Sequence, residues 1–212
     1  AVVSGSGNVA IYSVEKLQEL GANVVACSDS SGYVVDEAGL DLALVKQIKE
    51  VERGRIAEYV DRRPGSHYGA GGQVWDVPCE LAIPGATQNE LDEDGARRLV
   101  TNGCIAVAEG ANMPTTPAAL RVFANAGVAF GPGKAANAGG VATSALEMQQ
   151  NASRDFWSFE YTEERLRNIM RRIHDTCLST AEEYDCAGNY VAGANLAGFV
   201  KVAGAMADHG LV

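Results

Sequence analysis

The stretch Ala1-Val2-Val3-Ser4-Gly5-Ser6-Gly7-Asn8-Val9-Ala10 decides how everything after it is read. Three apolar residues make a short strand, the glycines a turn, and the residues through Leu17 and Leu20 a helix that stops at Gly21. Gly5-x-Gly7-x-x-Ala10 has the spacing of a dinucleotide fingerprint. Gly5 permits the tight turn, Gly7 lets a pyrophosphate reach backbone N–H groups at the start of a helix, and Ala10 lets helix and strand pack closely. The pattern alone is weak, because a purely structural turn reads the same way. Here it follows a strand, opens a helix and has Asp29 twenty-two residues beyond Gly7, near the ~20 at which a carboxylate accepts from ribose hydroxyls.

Working outward, Asn23 to Cys27 (NVVAC) is a second apolar run, which makes the opening a βαβ unit, and Ser28 to Gly32 is a cluster of turn formers. Residues 41 to 60 read as one helix, with Leu44, Val45, Ile48 and Val51 on one side and Lys46, Lys49 and Arg53 on another. An irregular, Gly-rich stretch runs from Pro64 to Gly72. Strands are expected at Glu80 to Ile83, Cys104 to Ala108 and Val128 to Phe130. Helices are expected at Asn89 to Leu99 and at Pro117 to Ala126, the latter with Thr116 as N-cap and Pro117 in the first helical position. From Asn137 on the strands stop, and three helices follow at about 139–155, 163–184 and 190–208. The pattern predicts an α/β fold: a mostly parallel sheet with helices on both faces and a helical C-terminal region. With no separating linker, residues 1–212 read as a single domain, core to about 136 and helices after it.

Composition narrows the function. The chain has 212 residues, 47% hydrophobic and 21% charged, which excludes a disordered tail, a collagen-like repeat and a coiled coil. A net charge of −10 opposes non-specific binding to nucleic acid or anionic membrane, so any phosphate must be held locally. No apolar run approaches the roughly 18 residues that cross a bilayer, and no basic-then-apolar leader opens the chain, so no membrane partner and a cytoplasmic location are expected. Cys27, Cys79, Cys104, Cys177 and Cys186 are widely spaced with no C-x-x-C, and the three histidines lie far apart. Neither a disulfide framework nor a metal site is expected.

The unusual polar residues fall after strands, where an open parallel sheet binds its ligands. Gly5-Ser6-Gly7 follows the first strand, Ser28-Asp29-Ser30 the second, Pro84 to Asn89 the third, Glu109 to Asn112 the fourth and Gly131 to Lys134 the fifth. Asp29 suits the ribose hydroxyls of NAD and would repel the 2′-phosphate of NADP, unless it turns away and hydroxyls and cations take the phosphate. Ser28 and Ser30 supply hydroxyls, and Lys46, Lys49 and Arg53 lie on the next helix, although composition alone favours reading those three as a solvated basic face. Composition therefore leaves the cofactor open. Val141, Ser144 and Met148 share a helical face after Asn137. The Ser144 hydroxyl either meets a substrate carboxylate or bonds back to its own helix.

Taken together, SGSGNVA (Ser4 to Ala10), ATQNEL (Ala86 to Leu91), AEGANMPTT (Ala108 to Thr116), PGKAANAGGVATSALEM (Pro132 to Met148) and GANLAGFVKVA (Gly193 to Ala203) resemble the glutamate dehydrogenase family, particularly its hexameric bacterial branch. The resemblance runs in order over nearly the whole chain. It implies a Rossmann-type cofactor domain, which in the family follows a substrate domain across a deep cleft. It also implies reversible oxidative deamination of L-glutamate to 2-oxoglutarate and ammonium with a nicotinamide cofactor. On that resemblance Gly5, Ser6, Gly7, Asn8 and Val9 hold the pyrophosphate, and Ala86, Thr87, Gln88 and Asn112 the nicotinamide riboside. Asn137 faces nicotinamide and substrate, and Val141 and Ser144 complete the glutamate pocket. The string Ser28 to Gly32 is similar to NADP-preferring members, which assigns Ser30 and Lys49, beside Asp29, to the 2′-phosphate, with NAD still possible.

One departure stands against these matches. The family's catalytic lysine and aspartate lie in the preceding substrate domain, and Lys16, Lys46, Lys49, Lys134 and Lys201 match none of its motifs. The expectation is a cofactor-binding domain without its substrate domain, able to bind cofactor but with no catalytic residue of its own. Such a chain would be monomeric while the complete enzyme is a homo-hexamer, and apolar surface would be left exposed after residue 155. The alternatives are a leucine or valine dehydrogenase, against which a carboxylate-binding Ser144 argues, and a non-catalytic dinucleotide-binding module, against which the retained substrate-pocket strings argue.

Overall fold

The structure, a computed structural model, describes residues 1–71 and 73–210. The chain divides into two compact units, Ala1–Phe130 and the residues from Gly131 on.

The first unit is built on a seven-stranded sheet of order β4-β3-β2-β1-β5-β6-β7. These strands are β1 (Val2–Val3), β2 (Ala26–Asp29), β3 (Gly32–Val35), β4 (His67–Ala70), β5 (Leu81–Ile83), β6 (Ala106–Ala108) and β7 (Ala129–Gly131). β1 is central and pairs in parallel with β2 on one side and β5 on the other, and β5 pairs in parallel with β6. The chain therefore leaves β1 in one direction to reach β2 and later crosses to β5 on the opposite flank. That reversal is the switch point beside which open α/β sheets bind ligands.

Neighbouring residues of each strand serve opposite faces, as the two-residue period requires. Val2, Ala26 and Val35 join Trp75, Leu91, Leu99, Val107 and Phe123 on one side. Val3, Cys27 and Val34 join Ile11, Val14, Ile48, Ile56 and Tyr59 on the other. Helix α1 (Asn8–Glu19) and the broken helical segment of residues 42–62 cover the second face, and α4 (Glu93–Thr101) and α5 (Pro117–Ala126) the first. The Thr116 hydroxyl accepts from the Ala119 amide at 3.3 Å and Pro117 sits in the first turn, as the sequence predicts.

Several expected elements of this unit need correction. The second strand starts at Ala26 rather than Asn23 and runs into Asp29, because Ser28 and Asp29 pair with Tyr33 and Gly32 of an antiparallel β3. The Ser28 to Gly32 turn cluster is thus a tight hairpin. The stretch Pro64 to Gly72 is not wholly irregular, since His67–Ala70 pair antiparallel with β3; Gly72 itself lies outside the described residues. The single helix at 41–60 breaks into α2 (Leu42–Lys46), a π turn (Gln47–Val51), a 3₁₀ turn (Ile56–Glu58) and α3 (Tyr59–Arg62). Arg53 takes a left-handed φ of 54°, and the turned chain delivers the Ile56 amide to the Asp29 carboxylate at 2.9 Å. The helix expected from Asn89 starts at Glu93, where the Asp92 carboxylate accepts from the Gly95 amide at 2.8 Å.

The second unit holds α6 (Gly133–Ala136), α7 (Ala138–Ser153), α8 (Phe159–Glu183) and α9 (Tyr190–His209). Its small core is Ala135, Cys177 and Ala194, with Ile173 and Tyr190 against it. The expectation that no segment is apolar enough for a bilayer fails for α9. It spans 20 residues, and an 18-residue window within it has a mean hydropathy of 1.2, long and apolar enough to cross one by length and composition. A search for an unbroken apolar run misses it because Lys201 interrupts the series, while its many alanines keep the average high.

Candidate functional site

Gly5 sits just past the central strand with a φ of +89°. A Cβ there would lie 3.1 Å from the Ala86 Cβ and 3.3 Å from the Gly85 carbonyl, so both the backbone angle and the space require glycine. Its amide donates to the Ser28 Oγ at 2.9 Å, which ties the loops after β1 and β2 together. Gly7 is the N-cap of α1 with no side-chain cap, and a Cβ on it would meet nothing within 4 Å. Gly7, Asn8 and Val9 are exposed, Ser6 and Ala10 buried. The open first turn of a twelve-residue helix at the switch point is suited to an anion.

The loop after β5 is held just as firmly. The Ser4 hydroxyl, buried at the end of β1, accepts from the Gly85 amide at 2.9 Å. Glu90 accepts from the Ala86 and Thr87 amides at 2.9 and 3.3 Å, fixing the turn that carries Thr87 and Gln88. Burial pushes the Glu90 carboxyl above its usual range, though these amides and Ser4 favour its ionised form. The Gly110 and Ala111 amides donate to the Pro84 carbonyl at 2.9 Å, joining this loop to the one that carries Asn112. Ser4 and Glu90 escape a reading by residue type, since neither is unusual until the loops meet; the position of Glu90 within ATQNEL was the available signal.

Around Asp29 the structure answers a question that composition leaves open. The carboxylate turns inward, its side chain 6% exposed. It accepts from the Ser31 amide and hydroxyl at 2.8 and 2.6 Å, the Ile56 amide at 2.9 Å and Lys49 Nζ at 3.2 Å. Burial opposes ionisation, but these donors outweigh it and bring the carboxyl down to about 2. Lys49 also donates to the Gly54 carbonyl at 2.8 Å, so it is a neutralising partner to Asp29. Lys46 pairs with Glu15 instead. Arg55 Nη1 donates to the exposed Ser30 Oγ at 2.9 Å. The Arg55 backbone amide donates to the Glu58 carboxylate at 2.8 Å, but its guanidinium has no carboxylate partner among the described residues. It was missed in the sequence because the helix break that brings it to Ser30 depends on the long-range Ile56–Asp29 bond.

The remaining site residues lie in the second unit. Asn137 stands between α6 and α7, its amide donating to the Gly133 carbonyl at 2.9 Å. Val141, Ser144 and Met148 fall on the exposed side of α7, opposite the buried Leu146. The Ser144 hydroxyl donates to the Gly140 carbonyl at 3.3 Å, bonding back to its own helix. The site residues of the first unit are brought to one edge of the sheet, at the carboxyl ends of β1, β2, β5 and β6.

A mostly parallel sheet with a glycine turn at its switch point defines the Rossmann-type class of nucleotide-binding fold. Within that class the chain belongs to the Glutamate/Leucine/Phenylalanine/Valine dehydrogenase family, whose sequence pattern matches residues 1–210. It is 53% identical to a glutamate dehydrogenase of Bacteroides thetaiotaomicron over 100% of the chain and 48% of that protein. It is 54% identical to the NADP-specific glutamate dehydrogenase of Escherichia coli K12 over 99% of the chain and 47% of that protein. The crystal structure of Plasmodium falciparum glutamate dehydrogenase superposes with a TM-score of 0.95 at 46% identity, covering 100% of this chain and 46% of that one. The chain spans about half the length of the curated relatives it matches, and corresponds to their C-terminal half.

Proposed function

We propose that this chain is the cofactor-binding part of an NADP-dependent glutamate dehydrogenase, a cytoplasmic homo-hexamer that interconverts L-glutamate with 2-oxoglutarate and ammonium. The observation that carries the cofactor choice is Asp29. Turned inward and compensated by Lys49, it leaves the exposed Ser30 hydroxyl and the Arg55 guanidinium as the polar groups at the tip of β2. That arrangement suits a 2′-phosphate better than a ribose hydroxyl pair, because Arg offers charge-assisted donors where the carboxylate would have repelled.

In this reading Gly5, Ser6, Gly7, Asn8 and Val9 hold the pyrophosphate at the open turn of α1. Ala86, Thr87 and Gln88, set by Glu90, hold the nicotinamide riboside with Asn112. Ser30 and Arg55 take the phosphate, while Lys49 contributes by holding Asp29 away. When bound, the nicotinamide supplies hydride exchange; the chain's residues bind and orient it. Asn137, Val141 and Ser144 contribute to glutamate recognition, and Ser144 must release the Gly140 carbonyl to do so. No residue of this chain is assigned as the general acid or base, so cofactor binding without turnover is expected of the 212 residues alone.

A fluorescence titration tests the cofactor assignment. NADPH should bind more tightly than NADH by about 1–3 kcal/mol, the scale of charge-assisted bonds to phosphate. Equal affinities would overturn it.

A further inference from the structure

We propose that Cys79 and Cys104 form a reversible thiol–disulfide pair, which a small peroxide oxidises to an intrachain bond tying the starts of β5 and β6 together. The argument begins with register. Leu81 lies opposite Ala106 and Ala82 opposite Val107 in the parallel β5–β6 pair. Cys79 and Cys104 each stand two residues before the first residue of β5 and of β6, so the same offset, carried back along the chain, sets them side by side. The backbones are still joined there, the Ile105 amide donating to the Glu80 carbonyl at 2.8 Å. Strands so joined run about 4.7–4.9 Å apart, inside the roughly 4.4–6.8 Å between Cα atoms that a disulfide spans.

Packing agrees with register. Both cysteines belong to the same core cluster, and the proton affinity of each thiol responds to the other. The Cys104 thiol, when protonated, donates to the Ala106 carbonyl at 3.3 Å. The neighbouring Cys79 thiol holds the Cys104 pKa below its ordinary value against the cost of burial, whereas its bond to Cys104 and its own burial push Cys79 up. Cys104 is thus the attacking sulfur and Cys79 the resolving one. Cys104 and Cys79 retain 5% and 8% exposure, and their chain neighbours Gly103 and Ile105, and Pro78 and Glu80, are exposed, so only the thin edge of the core separates the thiols from solvent.

Cys27 lies in the cluster on the opposite face of the sheet, its thiol pushed up to about 12 chiefly by burial. Cys177 and Cys186 belong to the second unit.

The chemistry balances. The Cys104 thiolate attacks one peroxide oxygen and breaks the O–O bond; the departing hydroxide takes a proton and leaves as water, and Cys104 becomes a sulfenic acid. The Cys79 thiol then attacks that sulfur, the S–O bond breaks, and the Cys79 proton goes to the departing hydroxide, which leaves as a second water. Two thiols are oxidised and one peroxide is reduced to two waters. A dithiol such as dithiothreitol reverses the outcome by exchange.

The test is to expose the 212-residue chain to a few equivalents of hydrogen peroxide, alkylate the remaining thiols and map the peptides. Free thiols should fall from five to three. One linked pair, Cys79 with Cys104, should appear with the loss of two hydrogen masses and disappear after dithiothreitol. The oxidised chain should melt roughly 5–10 °C higher, the scale for closing a loop of about 25 residues. Cys79→Ser and Cys104→Ser should each abolish link and shift. The map of the unaltered chain decides the matter even if a variant fails to fold. Cys79 and Cys104 still alkylatable once Cys186 has been oxidised, either residue stopping at sulfinic acid, or a link to another cysteine would overturn the proposal.

Discussion

The two units bury their apolar residues in different ways. In Ala1–Phe130 the sheet has a core on each face, and Tyr59, Phe123, Ile11, Ile48, Ile56, Leu91 and Leu99 are fully buried. From Gly131 on, the helices gather round little more than Ala135, Cys177 and Ala194. Phe156, Phe159, Phe199, Val202 and Met206 stay 96, 77, 68, 61 and 57% exposed. Apolar surface after residue 155 was expected from the sequence, and it is there. The first unit leaves a few apolar side chains such as Leu20, Val51 and Ile105 in solvent but buries large ones such as Tyr59 and Phe123, while the second carries many side chains whose burial it does not supply. The polar groups follow the same division. Long-range bonds such as Gly5 to Ser28 and Gly85 to Ser4 position the first unit's site, whereas Ser144 bonds only within its own helix.

The sharpest test of the first half of that contrast is Phe123→Ala. Phe123 is completely buried and stacks on Phe130 with ring centroids 5.9 Å apart. Removing a ring from such a site costs about 3–5 kcal/mol. Denaturant unfolding should show the first unit's transition moving by that amount. A loss near zero would mean that the core is not the self-sufficient one described.

Next in size is Arg55→Ala, which should weaken NADPH by about 1–3 kcal/mol and leave NADH unchanged. Loss of both coenzymes alike would show that Arg55 supports the loop and does not read the phosphate. Somewhat smaller is the acid limb of stability. The Asp29 pKa is lower folded than unfolded, so its contribution is full above about pH 4 and is lost as pH falls toward 2. Allowing for solvent screening the effect is about 1–2 kcal/mol. Asp29→Asn should flatten that limb between pH 4 and 2, and an unchanged pH profile would count against the inward, bonded carboxylate.

These residues also mark what could be read beforehand. The glycine turn, the α5 cap and the alternation of strands and helices were legible because each is decided by neighbours in sequence. Strands β3 and β4 were not. Their hairpin turns on Ser30 and Ser31, which lack the φ-positive signature of Asn-Gly, and Gly69 interrupts the β pattern. Gly32 and Gly69 were the available clue: a Cβ on Gly32 would come within 2.3 Å of the Gly69 carbonyl, and one on Gly69 would strike the Tyr33 ring. Arg55 was illegible for a stronger reason. Helical periodicity continues through residue 60, and among the bonds that hold the break the Ile56 amide to Asp29 reaches across twenty-seven residues.

The smallest effect tests the second half of the contrast. Phe199 is 68% exposed on α9, so Phe199→Ala removes little buried surface and should change the stability of this chain by about 0.5 kcal/mol or less. Exposed apolar side chains on one helix still favour association, because covering them releases water from their surface. The same variant should therefore lower any tendency of the 212-residue chain to self-associate, read by sedimentation velocity across a range of concentrations. A stability loss comparable to that of Phe123→Ala would show that α9 packs its apolar side chains as thoroughly as the sheet does, and the two units would no longer differ in kind.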